Sequence, residues 1–251
     1  MQSLWNTIFS EPIYNALVFT IHTITFGDVG FAVIILTLIV KLILSPLTKK
    51  SIKSQILMKR MEPELKQIKK DFPNKEEQAR KTFELYKKYG TNPFSGCLVV
   101  LLQLPVIFAL YFVFMKDFTI DASIIYSFVQ IPTIIHTNFL GLVEMGSRNN
   151  LILGLLTGIT QFIQGYLSTP AAVKANKIEV IKTKDAVVEP KTFQEELSSS
   201  MQMNIRYILP VFIAFIAWKL SAAVALYWIT SNIFTIVQEW YIRRALKANF
   251  E

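Results

Sequence analysis

Long apolar runs alternate with polar stretches along this chain, and the alternation predicts its elements. Residues 1–27 mix Trp5, Ile8, Phe9, Ile13, Leu17 and Ile21 with Asn, Thr, His and Pro12, and end at Gly27-Asp28. That pattern predicts an amphipathic segment lying at the outer membrane interface. Residues 28–48 are apolar apart from a few positions and, at ~1.5 Å per residue, just cross a ~30 Å hydrocarbon layer, so they predict a first span. At residue 49 the composition turns abruptly charged and helix-favouring. Ile52, Ile56, Met61, Leu65, Ile68 and Phe72 recur near a 3.6 period, Pro73-Asn74 interrupts it, and Ala79, Phe83 and Tyr86 resume it. Residues 49–91 therefore read as a helical hairpin whose two narrow apolar stripes can face each other or the bilayer surface.

Asn92-Pro93 marks the return to the membrane. Residues 92–115 predict span two, with Gln103 and Pro105 near its middle, a proline that neighbouring helices can accommodate. Residues 116–150 read as a partly helical outer loop, residues 151–168 as a short span three, and residues 169–203 as an aperiodic, polar cytoplasmic loop. The stretch after it is too long for one span and slightly short for two. A tight turn around Lys219-Leu220-Ser221 would divide it into span four (204–219) and span five (220–242), leaving 243–251 as a tail. The expected fold is thus an all-α integral membrane protein of five transmembrane helices with a cytoplasmic helical hairpin.

Charge fixes the expected orientation. Of 251 residues 52% are hydrophobic and only 18% charged, more apolar surface than one soluble core needs to bury. Residues 49–88 hold thirteen Lys/Arg against six Asp/Glu, nearly the whole excess of the +8 chain. With the N-terminus outside and the C-terminus in the cytoplasm, the inside segments carry 22 of the 26 Lys/Arg, as the positive-inside rule requires. The first 30 residues contain no Lys or Arg, so they lack the basic n-region of a secretory signal, and residue 1 is expected to belong to the mature protein.

Polar residues inside the spans supply the candidate chemistry. Thr37, Lys41, Ser45 and Thr48 lie on one face of span one; Thr157, Gln161, Gln164 and Ser168 do so in span three; Trp228, Asn232, Thr235 and Glu239 do so in span five. Two readings fit. The stripes line one shared hydrophilic cavity, because polar stripes facing lipid would each cost several kcal/mol, or they hold helices together through interhelical hydrogen bonds. Lys41, near the cytoplasmic end of span one, either sits in that cavity or snorkels to the interface. A single cysteine, Cys97, excludes an internal disulfide and a cysteine-built metal cluster. His22 and His136 have no partner at ligand spacing, and neither a phosphate-binding loop nor a Ser/His/Asp arrangement occurs. No catalysis, cofactor or metal is expected.

Four pieces carry a resemblance: TLIVKLILSPLTKK (37–50), NPFSGCLVVLLQLPVIFALYF (92–112), LILGLLTGITQFIQ (151–164) and LYWITSNIFTIVQ (226–238). In that order, around a basic hairpin, the chain resembles the YidC/Oxa/Alb family of membrane-protein insertases, in the short form of single-membrane bacteria. The resemblance implies five spans around a hydrophilic groove open to the cytoplasm and lipid, in a multi-pass protein of the bacterial plasma (inner) membrane. Thr37 and Trp228, with Lys41, match positions that in the family meet the passing segment; together with Ser45, Gln161, Gln164 and Asn232 of the polar stripes and Gln103 of span two they make up the expected client-contacting groove. Lys41 occupies the place where the family usually has an arginine, and lysine lacks the planar guanidinium that grips a carboxylate with two bonds. The implied partners are nascent membrane-protein clients and the lipid bilayer, with the Sec translocon and ribosome as further contacts. No small-molecule substrate is implied. The implied activity is insertion of single- or few-span clients without nucleotide hydrolysis. The alternative from another class is a small-solute transporter or channel, which the absence of a visible inverted repeat disfavours.

Overall fold

The structure, a computed structural model, describes residues 2–92, 95–115, 120–168 and 207–248. The expected cytoplasmic loop at 169–203 lies outside the described residues, as do Lys116 and the last residues of the tail. Helices dominate. A short helix α1 (Gln2–Trp5) passes through a wide turn at Asn6–Ser10 into α2 (Glu11–Thr23). Then follow α3 (Val29–Asp71), α4 (Lys75–Tyr89), α5 (Ser95–Met115), α6 (Leu151–Ser168), α7 (Leu209–Lys219) and α8 (Ala222–Ala248).

Helix α3 starts at Asp28, whose carboxylate accepts from the Phe31 N–H at 2.9 Å and satisfies one of the unpaired donors of the first turn. It then runs for 43 residues without a break, through Pro46 and Pro63, so the first apolar run and the first arm of the basic hairpin are one helix. Just before it, Gly27 has φ +100°, and a Cβ there would lie 2.6 Å from the Ile134 carbonyl oxygen. Only glycine fits that turn. His136 closes against it through its backbone, its N–H donating to the Gly27 carbonyl and its carbonyl accepting from Val29.

The segment expected as a partly helical loop is different. Among the described residues it holds one three-residue helical turn, Ala122–Ile124, and a two-stranded antiparallel hairpin, β1 (Asn138–Phe139) with β2 (Val143–Glu144). Gly141 at φ +70° and Leu140 at φ +54° make its turn, a tight connection that helix periodicity does not register. The hairpin sits over the start of α3, with Phe139 stacked edge-on against Phe31.

The hydrophobic core lies at this same end. Leu17 and Ile21 of α2, Val29, Val33 and Leu36 of α3, Leu110 and Phe114 of α5, and Ala223, Val224 and Tyr227 of α8 are all buried in it. Helix α8 enters from the loop: the Ala222 N–H donates to the Ser147 carbonyl and the Ala223 N–H to that of Met145. The chain turns at Leu220-Ser221, where the sequence places it. Helices α6 and α7 pack very closely because Gly154 and Gly158 remove side chains at the crossing. A Cβ on Gly154 would come within 2.8 Å of Trp218 Cβ, and one on Gly158 within 2.7 Å of Ala214 Cβ.

Burial is inverted on the outside of this bundle. Ile39, Leu42 and Ile43 of α3, Ile152, Leu155 and Ile159 of α6, Val211, Phe212 and Phe215 of α7, and Val237 and Trp240 of α8 are exposed. Apolar side chains pointing outward from helix after helix suit hydrocarbon rather than water. Two helical stretches, Val29–Ile68 and Leu151–Ser168, are long and apolar enough to cross a membrane; Gln103–Phe112 and Leu209–Lys219 are apolar but shorter.

In the basic hairpin, α4 folds back on the distal part of α3. Its first turn is capped by Asn74, which accepts from the Glu76 N–H, and Gly90 ends it in the left-handed region. From sequence, the stripe of Ala79, Phe83 and Tyr86 is expected to face either the other arm or the bilayer surface. Leu85 is buried while Phe83 is 63% exposed and Ala79 faces outward, so that stripe does not face the other arm. The inner face follows Gln78, Thr82, Leu85 and Tyr89, an i, i+4, i+7, i+11 row about 130° from Phe83. Polar contacts set that register: the Gln78 amide donates to the Phe72 carbonyl at 2.6 Å, the Tyr89 hydroxyl donates to Glu64, and Lys88 donates to Glu64 at 3.0 Å.

Candidate functional site

Below the core, toward the basic hairpin, the facing sides of α3, α5, α6 and α8 turn polar. The α3 stripe contributes first. Thr37 is buried and its hydroxyl donates back to the Val33 carbonyl at 2.6 Å, so it is satisfied within its own helix. One turn on, the half-buried Lys41 reaches across to two other helices, its ammonium donating to Gln103 Oε1 on α5 at 3.2 Å and to Thr235 Oγ1 on α8 at 3.1 Å. Thr235 donates its own proton to the Ser231 carbonyl at 2.8 Å, which leaves its oxygen free to accept from the lysine. A further turn on, Ser45 accepts from the Gln238 amide of α8 at 2.6 Å.

Neutral oxygens are therefore the partners of Lys41, and no ion pair of Lys41 is formed among the described residues. The Gln103 amide nitrogen is buried and makes no hydrogen bond there either. Any site here combines an ammonium with an unsatisfied amide donor.

On the other side of α8 the polar residues form a second set. Asn232 donates to Thr160 of α6 at 3.2 Å. Gln161 donates to Gln164 at 3.1 Å, Gln164 to Ser168 at 2.9 Å, and Ser168 to Glu239 of α8 at 2.5 Å. Glu239 is 1% exposed, and Arg243, one turn along α8, grips one of its oxygens through Nε at 2.9 Å and a terminal nitrogen at 2.6 Å. The same guanidinium reaches the Leu167 carbonyl at the end of α6, at 3.1 Å, and Gln55 of α3, at 3.5 Å. It thus satisfies a carbonyl that the helix end would leave unpaired. Trp228 packs against the hydrophobic core at the upper edge of both sets.

The site residues expected from the sequence divide accordingly. Lys41 and Gln103 meet directly; Ser45 lies one turn below Lys41, bonded to Gln238; Gln161, Gln164 and Asn232 belong to the α6–α8 set; Thr37 and Trp228 mark the junction with the core. Thr160, Gln238 and Arg243 were not among the expected site residues. Thr160 and Gln238 sit one position off the stripes that single out their neighbours. Arg243 reads in sequence as a tail cation, and its role depends on reaching back one helical turn to Glu239.

Comparison with known proteins identifies the family. Residues 20–249 match the family model of the 60Kd inner membrane protein. The chain belongs to that family. A protein of Oceanobacillus iheyensis named membrane protein insertase YidC is 32% identical over 98% of this chain and 86% of its own length. The protein of the same name from Campylobacter jejuni is 30% identical over 96% of this chain but only 38% of its own length, so the chain matches well under half of that longer relative. Among solved structures, a crystal structure of an active YidC insertase with its first transmembrane domain resolved superposes with a TM-score of 0.51 at 21% identity, over 93% of this chain and 45% of that one. That likeness concerns the fold.

Proposed function

We propose that this protein is a membrane-protein insertase that passes the short polar segment of a single- or few-span client along the polar faces of α3, α5, α6 and α8. The observation that carries the proposal is Lys41: a cation held between three helices of an apolar bundle, bonded only to neutral oxygens among the described residues. An ammonium kept there without a counter-charge is ready to receive an anion. A client carboxylate about 4 Å away would feel an attraction of roughly 4 kcal/mol at an effective dielectric near 20, much of it offset by desolvation of the two ions. That pairing draws an acidic outer segment inward. Burying the client's ~20 apolar residues in lipid then supplies the net driving force, with no nucleotide needed. The membrane potential adds about 2.3 kcal/mol per acidic charge moved outward across 100 mV.

In this reading five spans surround a groove: the first part of α3, then α5, α6, α7 and α8, with the N-terminus outside and the hairpin and tail in the cytoplasm. Helix α7 has 11 described residues, or ~16 Å, less than the ~30 Å hydrocarbon layer. Clients and lipid are the partners, and the basic hairpin is the surface for anionic lipid headgroups, a ribosome or a translocon. The family match and the names of the relatives support this reading.

The test is insertion of a single-span client with a short acidic N-terminal tail into proteoliposomes, comparing the parent with Lys41→Arg and Lys41→Ala. Arg is expected to retain activity and Ala to lose about tenfold, the equivalent of roughly 1.4 kcal/mol. A parent no better than empty liposomes refutes the insertase reading, and an Ala variant as active as the parent removes Lys41 from the mechanism.

A further inference from the structure

We infer that Gln103 is the second prong of a carboxylate clamp whose first prong is Lys41, so that the pair does here what one guanidinium would do. The inference rests on the insertase reading and names the group that selects acidic segments.

The geometry dictates the donors. An ammonium has three N–H bonds and no lone pair. It is therefore the Gln103 oxygen that faces Lys41, at 3.2 Å, and the amide NH₂ is left for another acceptor. That nitrogen is buried and unbonded among the described residues. Thr235 takes a second proton of the lysine at 3.1 Å, with its own hydroxyl committed to Ser231, which leaves one ammonium N–H unused. Two groups bonded to each other thus carry spare donors and no negative charge.

A carboxylate complements that pair with its two oxygens, one for the ammonium and one for the planar amide. Rotation about its own torsions brings the amide to an arriving anion, since among the described residues the lysine is the only group bonded to its polar end. A buried donor without an acceptor is unfavourable, and an acidic side chain relieves it where an apolar one does not. Arginine at position 41 would bring both prongs itself. With lysine there, the second prong must come from a neighbour, and Gln103 is the neighbour in contact. Thr235 is a positioning residue, aiming the ammonium without meeting the client.

The experiment uses the full chain in proteoliposomes with two clients that differ only in an acidic or a neutral (Asp→Asn) tail. Gln103→Met is expected to slow the acidic client about tenfold, the scale of one charge-assisted hydrogen bond, and the neutral client less than about twofold. In a Lys41→Arg background the same substitution is expected to slow the acidic client less than about twofold. Gln103→Glu is nearly isosteric and guards against a folding defect; it places a carboxylate beside Lys41 and is expected to lose the acidic client while keeping the neutral one. Equal losses of both clients in both Gln103 variants, or an undiminished Gln103→Met effect in the Lys41→Arg background, overturn the clamp. A parent that inserts both clients with no effect of any Gln103 variant overturns the clamp alone, whereas a parent that inserts neither overturns the insertase reading beneath it.

Discussion

The contact between Glu239 and Arg243 permits a quantitative test of how α3, α6 and α8 are held together. Glu239 is buried at 1% exposure, and its carboxylate has three hydrogen bonds, one from Ser168 and two from the Arg243 guanidinium. Replacing Arg243 by Met keeps the length and apolar stem of the side chain but removes both of those donors and the bond to the Leu167 carbonyl. A buried carboxylate is left with one neutral donor. Breaking a buried pair from one side costs 3–5 kcal/mol where both groups are inaccessible, and Arg243 is 29% exposed, so the expected loss is roughly 2–3 kcal/mol. Replacing both residues, as Glu239→Leu with Arg243→Met, removes the stranded charge along with its partner and is expected to restore most of that loss. Thermal unfolding in detergent, followed by the circular dichroism of the helices, measures Arg243→Met, Glu239→Leu and the double variant against the parent. The double variant should lie closer to the parent than Arg243→Met does. If the two substitutions are simply additive, with a coupling below about 0.5 kcal/mol, the pair is not coupled and the account of this junction is wrong.

Two further expectations concern the basic hairpin. Leu85→Ala should destabilise it by about 2–3 kcal/mol because Leu85 is buried against α3, whereas Phe83→Ala should be nearly neutral because Phe83 stands 63% exposed; protease protection of the hairpin reads both, and the opposite order would mean that the arms pack through Phe83. The hydroxyl of Tyr89 and the ammonium of Lys88 hold the Glu64 carboxyl below the usual carboxylate range. A depressed carboxylate stabilises the closed hairpin at pH above its ordinary value near 4.3 and loses that contribution as pH falls through its lowered value. The Glu64 side chain is solvent-exposed, so this contribution is small; protease protection of the hairpin should weaken modestly as pH falls below the ordinary carboxylate range, and a parent that matches Glu64→Gln at both neutral and acid pH would rule the contact out as a closing element.

Periodicity along the chain determined much of this protein. The apolar blocks mark most of the helices, the turn at Leu220-Ser221 and the basic hairpin, because a helix repeats every 3.6 residues and a bilayer requires long apolar runs whatever surrounds them. The stripes through Lys41, Gln161 and Asn232 are visible for the same reason. Partners are not. Lys41 meets Gln103 62 positions away and Thr235 194 positions away, and Ser168 meets Glu239 across 71. Which stripe faces which depends on how closely helices approach, and Gly154 and Gly158 set that for α6 and α7 only once Trp218 and Ala214 are beside them. The inner face of α4 went to Leu85 rather than Phe83 because Gln78, Tyr89 and Glu64 fix its rotation through polar contacts, and hydrophobicity alone does not weigh these. The hairpin of Asn138–Phe139 with Val143–Glu144 escaped notice because two-residue strands are too short to show a period, and its place over Gly30 and Phe31 is decided by packing. Sequence determined which residues are polar within the apolar bundle; only the tertiary structure decided that Glu239 is neutralised by Arg243 while Lys41 is left beside an amide with a donor to spare.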